Sequence, residues 1–409
     1  MTSKEADIET DINPVIDQGE SVTTMEPLLI GETSVHRGEL TELAVDLAAR
    51  SAGFRRSLPE GVVEALADLV RAMNCYYSNL IEGHDTHPVD IERAMHNDYS
   101  DEPGKRNLQM EARAHVTVQK WIDEGGLEGR AATTEGICEV HRRFGELLPG
   151  ELLIVEEPDT GKKITLKPGE LRKRHVRVGD HVAISPGAVP RFLERFEAVY
   201  SGLGKAASIF SAAAAHHRLL WIHPFLDGNG RVARLMSYSM LRDALDTGGI
   251  WSIARGLARQ ETNYKQHLLS CDGPRRGDLD GRGSRSEEAL ALFTKFFLQT
   301  CIDQVEFMEK LVQPNRLRDR IHIWVEEEVR ADALPAKAGN VLDAVLYRGE
   351  LPRGEVAELV DTGERQARRI VSSLIEAGVL TSTSSRAPLR IAFPASLAGR
   401  WMPGLFPDA

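Results

Sequence analysis

Polar residues fill the first 35 positions without periodicity, and apolar residues then recur at the spacing of a helix surface. The opening stretch (1–35) is acidic and reads as a flexible arm. Beyond it, apolar positions three and four apart predict helices over 40–52 and 62–81. In the second, Val70, Met73, Tyr77, Leu80 and Ile81 share one face, and Gly83 supplies a stop. Helical spacing continues over 91–143, with a break at Gly125 and Gly126, so 36–150 is read as an N-terminal helical region.

The pattern changes after residue 150. Two short extended runs, 152–155 and 163–166, flank Pro158, Asp159, Thr160 and Gly161, which predicts a hairpin protruding as a β-flap. Residues 172–190 read as a loop with extended stretches, and helical pattern resumes over 189–199. The alanine-rich stretch 206–221 is apolar on most sides and predicts a buried central helix. Helices over 231–244 and 287–324 follow, with a loop over 274–286. From about residue 334 a separate unit begins, with three short helices and Gly378 as the final stop. Asp361, Thr362 and Gly363 turn between the second and third helices, and 379–393 suits a two-stranded wing. The fold class is mainly α: a helical core with a small hairpin flap (151–333), then a winged helix-turn-helix (334–409).

Composition narrows the function. The chain has 409 residues, 50 Lys plus Arg against 61 Asp plus Glu, and a net charge of −11, so it is not a chain-wide electrostatic binder of polyanions. A local basic helix is still compatible with that balance. Four cysteines without a CxxC pair indicate neither a thiolate metal site nor a disulfide framework, and suit a reducing cytoplasm. The start lacks the apolar core of an export signal and no apolar run is long enough to span a bilayer, so no membrane partner is expected.

The chemistry concentrates at 223–234, His-Pro-Phe-Leu-Asp-Gly-Asn-Gly-Arg-Val-Ala-Arg. Pro224 disfavours the α conformation at His223, so the central helix should end there and leave the imidazole at the mouth of a loop. Such an imidazole suits a general base acting on a hydroxyl. Gly228, Asn229 and Gly230 allow a tight turn and close backbone approach just before a helix start, which is an anion site. Arg231 and Arg234 fall on one helix face with planar donors for phosphate oxygens. Asp227 offers a hard oxygen of the kind that holds Mg²⁺ on a nucleotide. Singly, each feature has an ordinary structural reading; together they form one constellation.

This stretch resembles the Fic family motif H-x-F-x-(D/E)-G-N-G-R-x-x-R, with every specified position met. The resemblance extends through residues 212–222, including His216, to the hairpin with Gly169, Arg172, Val176, Val178 and Gly179, and weakly to Tyr264 and Asp272. It implies transfer of AMP from ATP to a Tyr, Ser or Thr hydroxyl of a protein target. His223 would be the base. Gly228, Asn229 and Gly230 would form the anion hole, and Arg231 and Arg234 would hold the β- and γ-phosphates. Asp227 would hold Mg²⁺, Phe225 would anchor the loop, and the flap would pair with the target backbone. Many family members carry Asn four residues after the last arginine, where this chain has Tyr238, which either stacks on a ring or packs.

Ser78, Glu82 and Gly83 also resemble the family's inhibitory motif, (S/T)-x-x-x-E-(G/N). The resemblance implies that Glu82 pairs with Arg234 and restrains the enzyme from within the same chain. Other readings stay open at this level: removal of AMP from a modified target, self-modification, a homodimer, and a DNA-binding regulator acting through 334–409, where Arg365, Gln366, Arg368 and Arg369 lie on the third helix. The family's kinase branch is disfavoured because Gly230 is intact.

Overall fold

The computed structural model describes residues 15–156 and 161–407. Positions 1–14 of the expected arm and the flap-turn residues Pro158, Asp159 and Thr160 lie outside the described residues.

The first helices are α1 (Arg37–Arg56), α2 (Glu60–Ile81), α3 (Pro88–Met95), α4 (Pro103–Asp123) and α5 (Thr134–Glu146). Helix α2 ends because Gly83 takes φ +84°. There the Gly83 N–H donates to the Leu80 carbonyl and the His84 N–H to that of Asn79. The run expected to be helical from residue 91 is interrupted between α3 and α4. Asn97 adopts φ +59° and Pro103 opens α4, where its missing N–H costs nothing.

The hairpin follows as β1 (Ile154–Glu156) and β2 (Lys163–Thr165), antiparallel with Val155 opposite Ile164. A second two-residue pair, β3 (Arg177–Val178) and β4 (His181–Val182), lies within the expected loop. Next come α6 (Val189–Tyr200), α7 (Lys205–Ile222) and α8 (Asn229–Ala244). As the alanine pattern predicts, α7 is central. Ala212, Ala213, Ala214 and Ala215 are all buried, and their small side chains admit the neighbouring helices α6, α8 and α1. Helix α9 (Ala254–Arg259) is too short to show a period, and α10 (Glu261–Cys271) buries only Tyr264 and Cys271, so periodicity does not announce them. Helix α11 (Glu287–Leu311), capped by Ser286 accepting from the Ala289 N–H at 3.0 Å, packs on α1 and α7.

The C-terminal third comprises α12 (Pro314–Arg330), α13 (Ala338–Arg348), α14 (Val356–Leu359) and α15 (Glu364–Glu376). These are followed by β5 (Leu380–Thr381) paired with β6 (Arg390–Ile391), and by α16 (Ala395–Trp401).

Two expectations need correction. Residues 15–35 are not a free arm. Met25, Leu28 and Ile30 are buried in the core, the Gly187 N–H donates to Ile16 O at 2.8 Å, and Arg218 Nη2 donates to Pro27 O at 2.9 Å. The acidic residues there have distant cationic partners, Asp17 with Arg191 and Glu26 with Arg195, which sequence proximity cannot reveal. Nor do residues 334–409 stand apart. Leu405 and Ile391 belong to the same apolar core as Leu66 and Val70 of α2.

Candidate active site

Helices α7 and α8 pack along each other, and the loop that joins them carries the motif. His223 ends α7 in the left-handed region (φ 53°, ψ 63°), out of the helical conformation that Pro224 disfavours there but not in the extended one that a residue before proline ordinarily takes. Its Nδ1 lies 3.2 Å from the Leu220 carbonyl, which can only accept, so this nitrogen carries the proton and Nε2 keeps its lone pair. Burial holds the imidazole well below its ordinary range, at about 4, so it is neutral at physiological pH.

A buried cation sets the loop's shape. Arg172 donates through Nε to His223 O at 2.7 Å, through Nη1 to Arg174 O at 2.8 Å and through Nη2 to Ile184 O at 2.6 Å. Its own N–H donates to Pro224 O at 2.9 Å. Phe225 is fully buried and stacks on His141, ring centres 3.8 Å apart and nearly parallel. His141 Nδ1 in turn accepts the Gly169 N–H at 2.8 Å. Asn229 closes the loop with two 2.9 Å bonds to Phe225, accepting from its N–H and donating to its carbonyl. Thus the Asn229 side chain braces the loop, and only its backbone remains to meet an anion.

Gly228 takes φ +79° at the start of α8, and no side chain caps that start. The first N–H groups of α8 are therefore available at its positive end. Arg231 is buried against the Phe144 ring, 4.9 Å from its centre, with Glu111 at 3.4 Å and Asp227 at 3.5 Å. Its Nε has no hydrogen-bond partner, and its Nη1 makes only the 3.4 Å ion-pair contact with Glu111. Buried, unpartnered guanidinium donors are costly unless a ligand completes them, and phosphate oxygens suit them.

Arg234 is buried and already engaged. Its Nε donates to Ser78 Oγ at 2.8 Å and its Nη2 pairs with Glu82. Burial raises the Glu82 carboxyl, but Arg234 outweighs it and holds the group below its ordinary range. The carboxylate lies over Gly230, where a Cβ would overlap it. Helices α2 and α8, 152 residues apart at this pair, thus meet at the start of α8. One residue beyond Gly83, His84 Nδ1 lies 2.7 Å from Glu111, which holds the imidazole above its usual range. Sequence reasoning did not find His84, Glu111 or His141, because their partners are distant in the chain and share no spacing signal.

Around the loop opens a cleft of about 1090 Å³. Val155 and Ile164 of the flap, Lys173, Arg177 and Val178, Ile16, Glu82, His223, and Asp227 to Gly230 line it. Asp227 is largely exposed there. Among the described residues no group of three or more His, Cys, Asp or Glu could hold a metal alone. Tyr238 is not among the residues lining the cleft: it is buried and donates to Asp123 at 2.5 Å, and burial lifts its hydroxyl well above the ordinary range. It packs.

A buried neutral histidine, a glycine-walled helix start and two buried arginines thus meet on a helical scaffold. Residues 131–241 match the Fic/DOC family, so this stretch of the chain carries a Fic domain. The protein adenylyltransferase Fic of Drosophila ananassae is 32% identical over 130 residues, 31% of this chain and 23% of that protein. That of Drosophila willistoni is 33% identical over 132 residues. The chain spans under a quarter of the length of these curated relatives. Among solved structures, a Fic family protein from Desulfovibrio desulfuricans aligns over 86% of this chain and 96% of its own at 16% identity and a TM-score of 0.47. Fic-1 from C. elegans aligns over 66% and 74% at 16% and 0.42. No described helix is long and apolar enough to cross a membrane.

Proposed function

We propose that the protein is an adenylyltransferase that moves AMP from ATP to a Tyr, Ser or Thr hydroxyl of a protein. The observation that carries this reading is His223, neutral and with Nε2 unengaged, beside the uncapped start of α8 and the buried Arg231, whose Nε has no hydrogen-bond partner. Nε2 takes the proton of the target hydroxyl as its oxygen attacks the α-phosphorus. The bond between the α-phosphorus and the bridging oxygen breaks, and pyrophosphate leaves with the electron pair. Backbone N–H groups of Gly228, Asn229 and Gly230 receive the charge on the α-phosphate. Arg231, and Arg234 once freed, hold the β- and γ-phosphates.

Mg²⁺ fits as a companion of the nucleotide rather than as a resident ion. Asp227 offers one exposed hard oxygen at the cleft, and the remaining ligands would be phosphate and water. When bound it would offset phosphate charge. The flap edge offers main-chain groups for an extended target segment. Four unpaired thiols are consistent with a reducing cytoplasm.

Autoinhibition belongs to the same reading. Glu82 occupies Arg234 and the space over Gly230, so a γ-phosphate meets a carboxylate where it needs a cation. The test is incubation with α-labelled and γ-labelled ATP and Mg²⁺ for wild type, His223→Ala and Glu82→Gly. Label from the α-position, raised in Glu82→Gly and abolished in His223→Ala, is expected; equal transfer from γ-labelled ATP would overturn the reading in favour of phosphorylation.

A second reading, DNA binding, is favoured by the exposed face of α15, where Arg365, Gln366, Arg368 and Arg369 lie clear of the core. Glu364, paired with Arg368 at 3.1 Å, weakens it. A gel shift of the full chain across salt decides, since phosphate contacts must loosen as salt rises.

A further inference from the structure

The helix that carries Ser78 and Glu82 is held at both ends by C-terminal residues. At its start, Gly61 meets the Gly349 backbone so closely that a Cβ on Gly61 would overlap the carbonyl, and Glu64 pairs with Arg390 of β6. In its last turns, Tyr77 donates to Leu405 O at 3.0 Å, and Tyr76 meets Phe406 edge-on with ring centres 5.7 Å apart. Between them, Gly404 O accepts from Arg255 Nη2 at 2.8 Å, and the Leu405 side chain is fully buried. Ser78, which accepts from Arg234, directly follows Tyr77.

A helix of 22 residues is a rod about 33 Å long, so its contacts at one end set where its other end lies. Charge-assisted bonds have a normal length of about 2.7–2.9 Å, and helix shifts of about 1–2 Å are enough to break them. Glu82 sits at the C-cap of this rod, beyond the turn that the tail grips.

We propose that residues 404–406 are a brace that keeps α2 in the register at which Glu82 reaches Arg234, so that lifting the tail switches the site on. The partner that would act on the brace is whatever engages the C-terminal helices and wing, because β6 and the tail grip the same helix. This rests on the reading of Glu82 as the inhibitory residue.

The test deletes residues 403–409 from the full chain, alone and with Glu82→Gly, and follows AMP incorporation together with amide exchange across the last turns of α2. The expected result is a rise of about fivefold or more in incorporation, the scale of ordinary site-to-site coupling. Amides at 77–82 exchange faster, and the deletion adds nothing in the Glu82→Gly background. An equal rise in that background would overturn the brace, as would unchanged exchange and incorporation. If the deleted chain loses its cooperative melt, Tyr77→Phe and Phe406→Ala decide through the same two measurements. These keep the chain whole while removing one hydrogen bond and one ring contact, and a smaller change in the same direction is expected. If no variant takes label, Glu82→Gly included, adenylyl transfer fails as a reading, and exchange alone still decides the brace.

Discussion

Glu82 and Arg234 meet across 152 residues of chain, and the carboxylate that pairs with the guanidinium also fills the space above Gly230. One side chain therefore neutralises the guanidinium and fills the space above Gly230 at once.

That double action separates two substitutions. Glu82→Gln removes the charge and keeps the volume, whereas Glu82→Gly removes both. ATP binding, measured calorimetrically on the His223→Ala background to prevent turnover, is expected to tighten in Glu82→Gln and to tighten further in Glu82→Gly. Loss of a buried charge pair gives the first step a scale of about 1–3 kcal/mol. Equal affinities in all three proteins would remove Glu82 from the phosphate site.

Burial presses His223 to about 4, below the ordinary value near 6.5. The base is neutral above about pH 4, so activity is expected not to fall between pH 8 and 5 through this group. A pH–rate profile of Glu82→Gly measured with single-turnover label checks this; an inflection near 6.5 assigned to His223 would contradict it.

The same pressure acts on stability. His141 and His217 are held at about 4, and His115 and His216 at about 3, all by burial. Their folded values lie below the unfolded ones, so the unfolded chain binds more protons between about pH 6.5 and 4. Folding stability must then drop as pH falls through that window, by at most about 1.4 kcal/mol per pH unit for each imidazole. Urea midpoints measured from pH 7.5 to 4.5 should show the decline steepening below 6.5.

Arg172 shapes the loop by holding the carbonyls of His223 and Pro224. Replacing it with Met leaves the carbonyls of His223, Arg174 and Ile184 without their donor, at a cost of about 1–3 kcal/mol for each that stays buried and unpaired. Chemical denaturation is expected to show that loss, and labelling to fall with it; Arg172→Lys should recover part of the stability and little of the activity, because one ammonium cannot reproduce the fork.

Tyr238→Phe tests whether that residue packs or reads a nucleoside. Its hydroxyl serves Asp123, so the expected change is a destabilisation of about 1–2 kcal/mol with the KM for ATP within about twofold of wild type. A larger rise in KM at unchanged stability would restore a nucleoside role.

The stretch from His223 to Arg234 was legible before folding, because its chemistry is local. Proline stops a helix at the next peptide, glycines admit φ > 0 without a partner, and residues three apart share a helix face. The same holds for α2, α7 and the flap strands, whose apolar period or hairpin turn is written in neighbouring residues. Residues 15–35 misled for the opposite reason: their carboxylates look solvated until Arg191 and Arg195 arrive from elsewhere. Composition and periodicity also placed a boundary near 334 that the continuous core from Leu66 to Leu405 does not respect.

The sequence by itself determined the helical class, the loop that bears His223, and the glycines and arginines at the start of the helix after it. Only the tertiary structure decided that Glu82 faces Arg234, that His141 supports Phe225, that Tyr238 packs, and that the tail grips the helix carrying Ser78. Those are contacts between groups tens to hundreds of positions apart, and no periodicity encodes them; they exist once burial brings the helices together and unpaired buried charges must find partners.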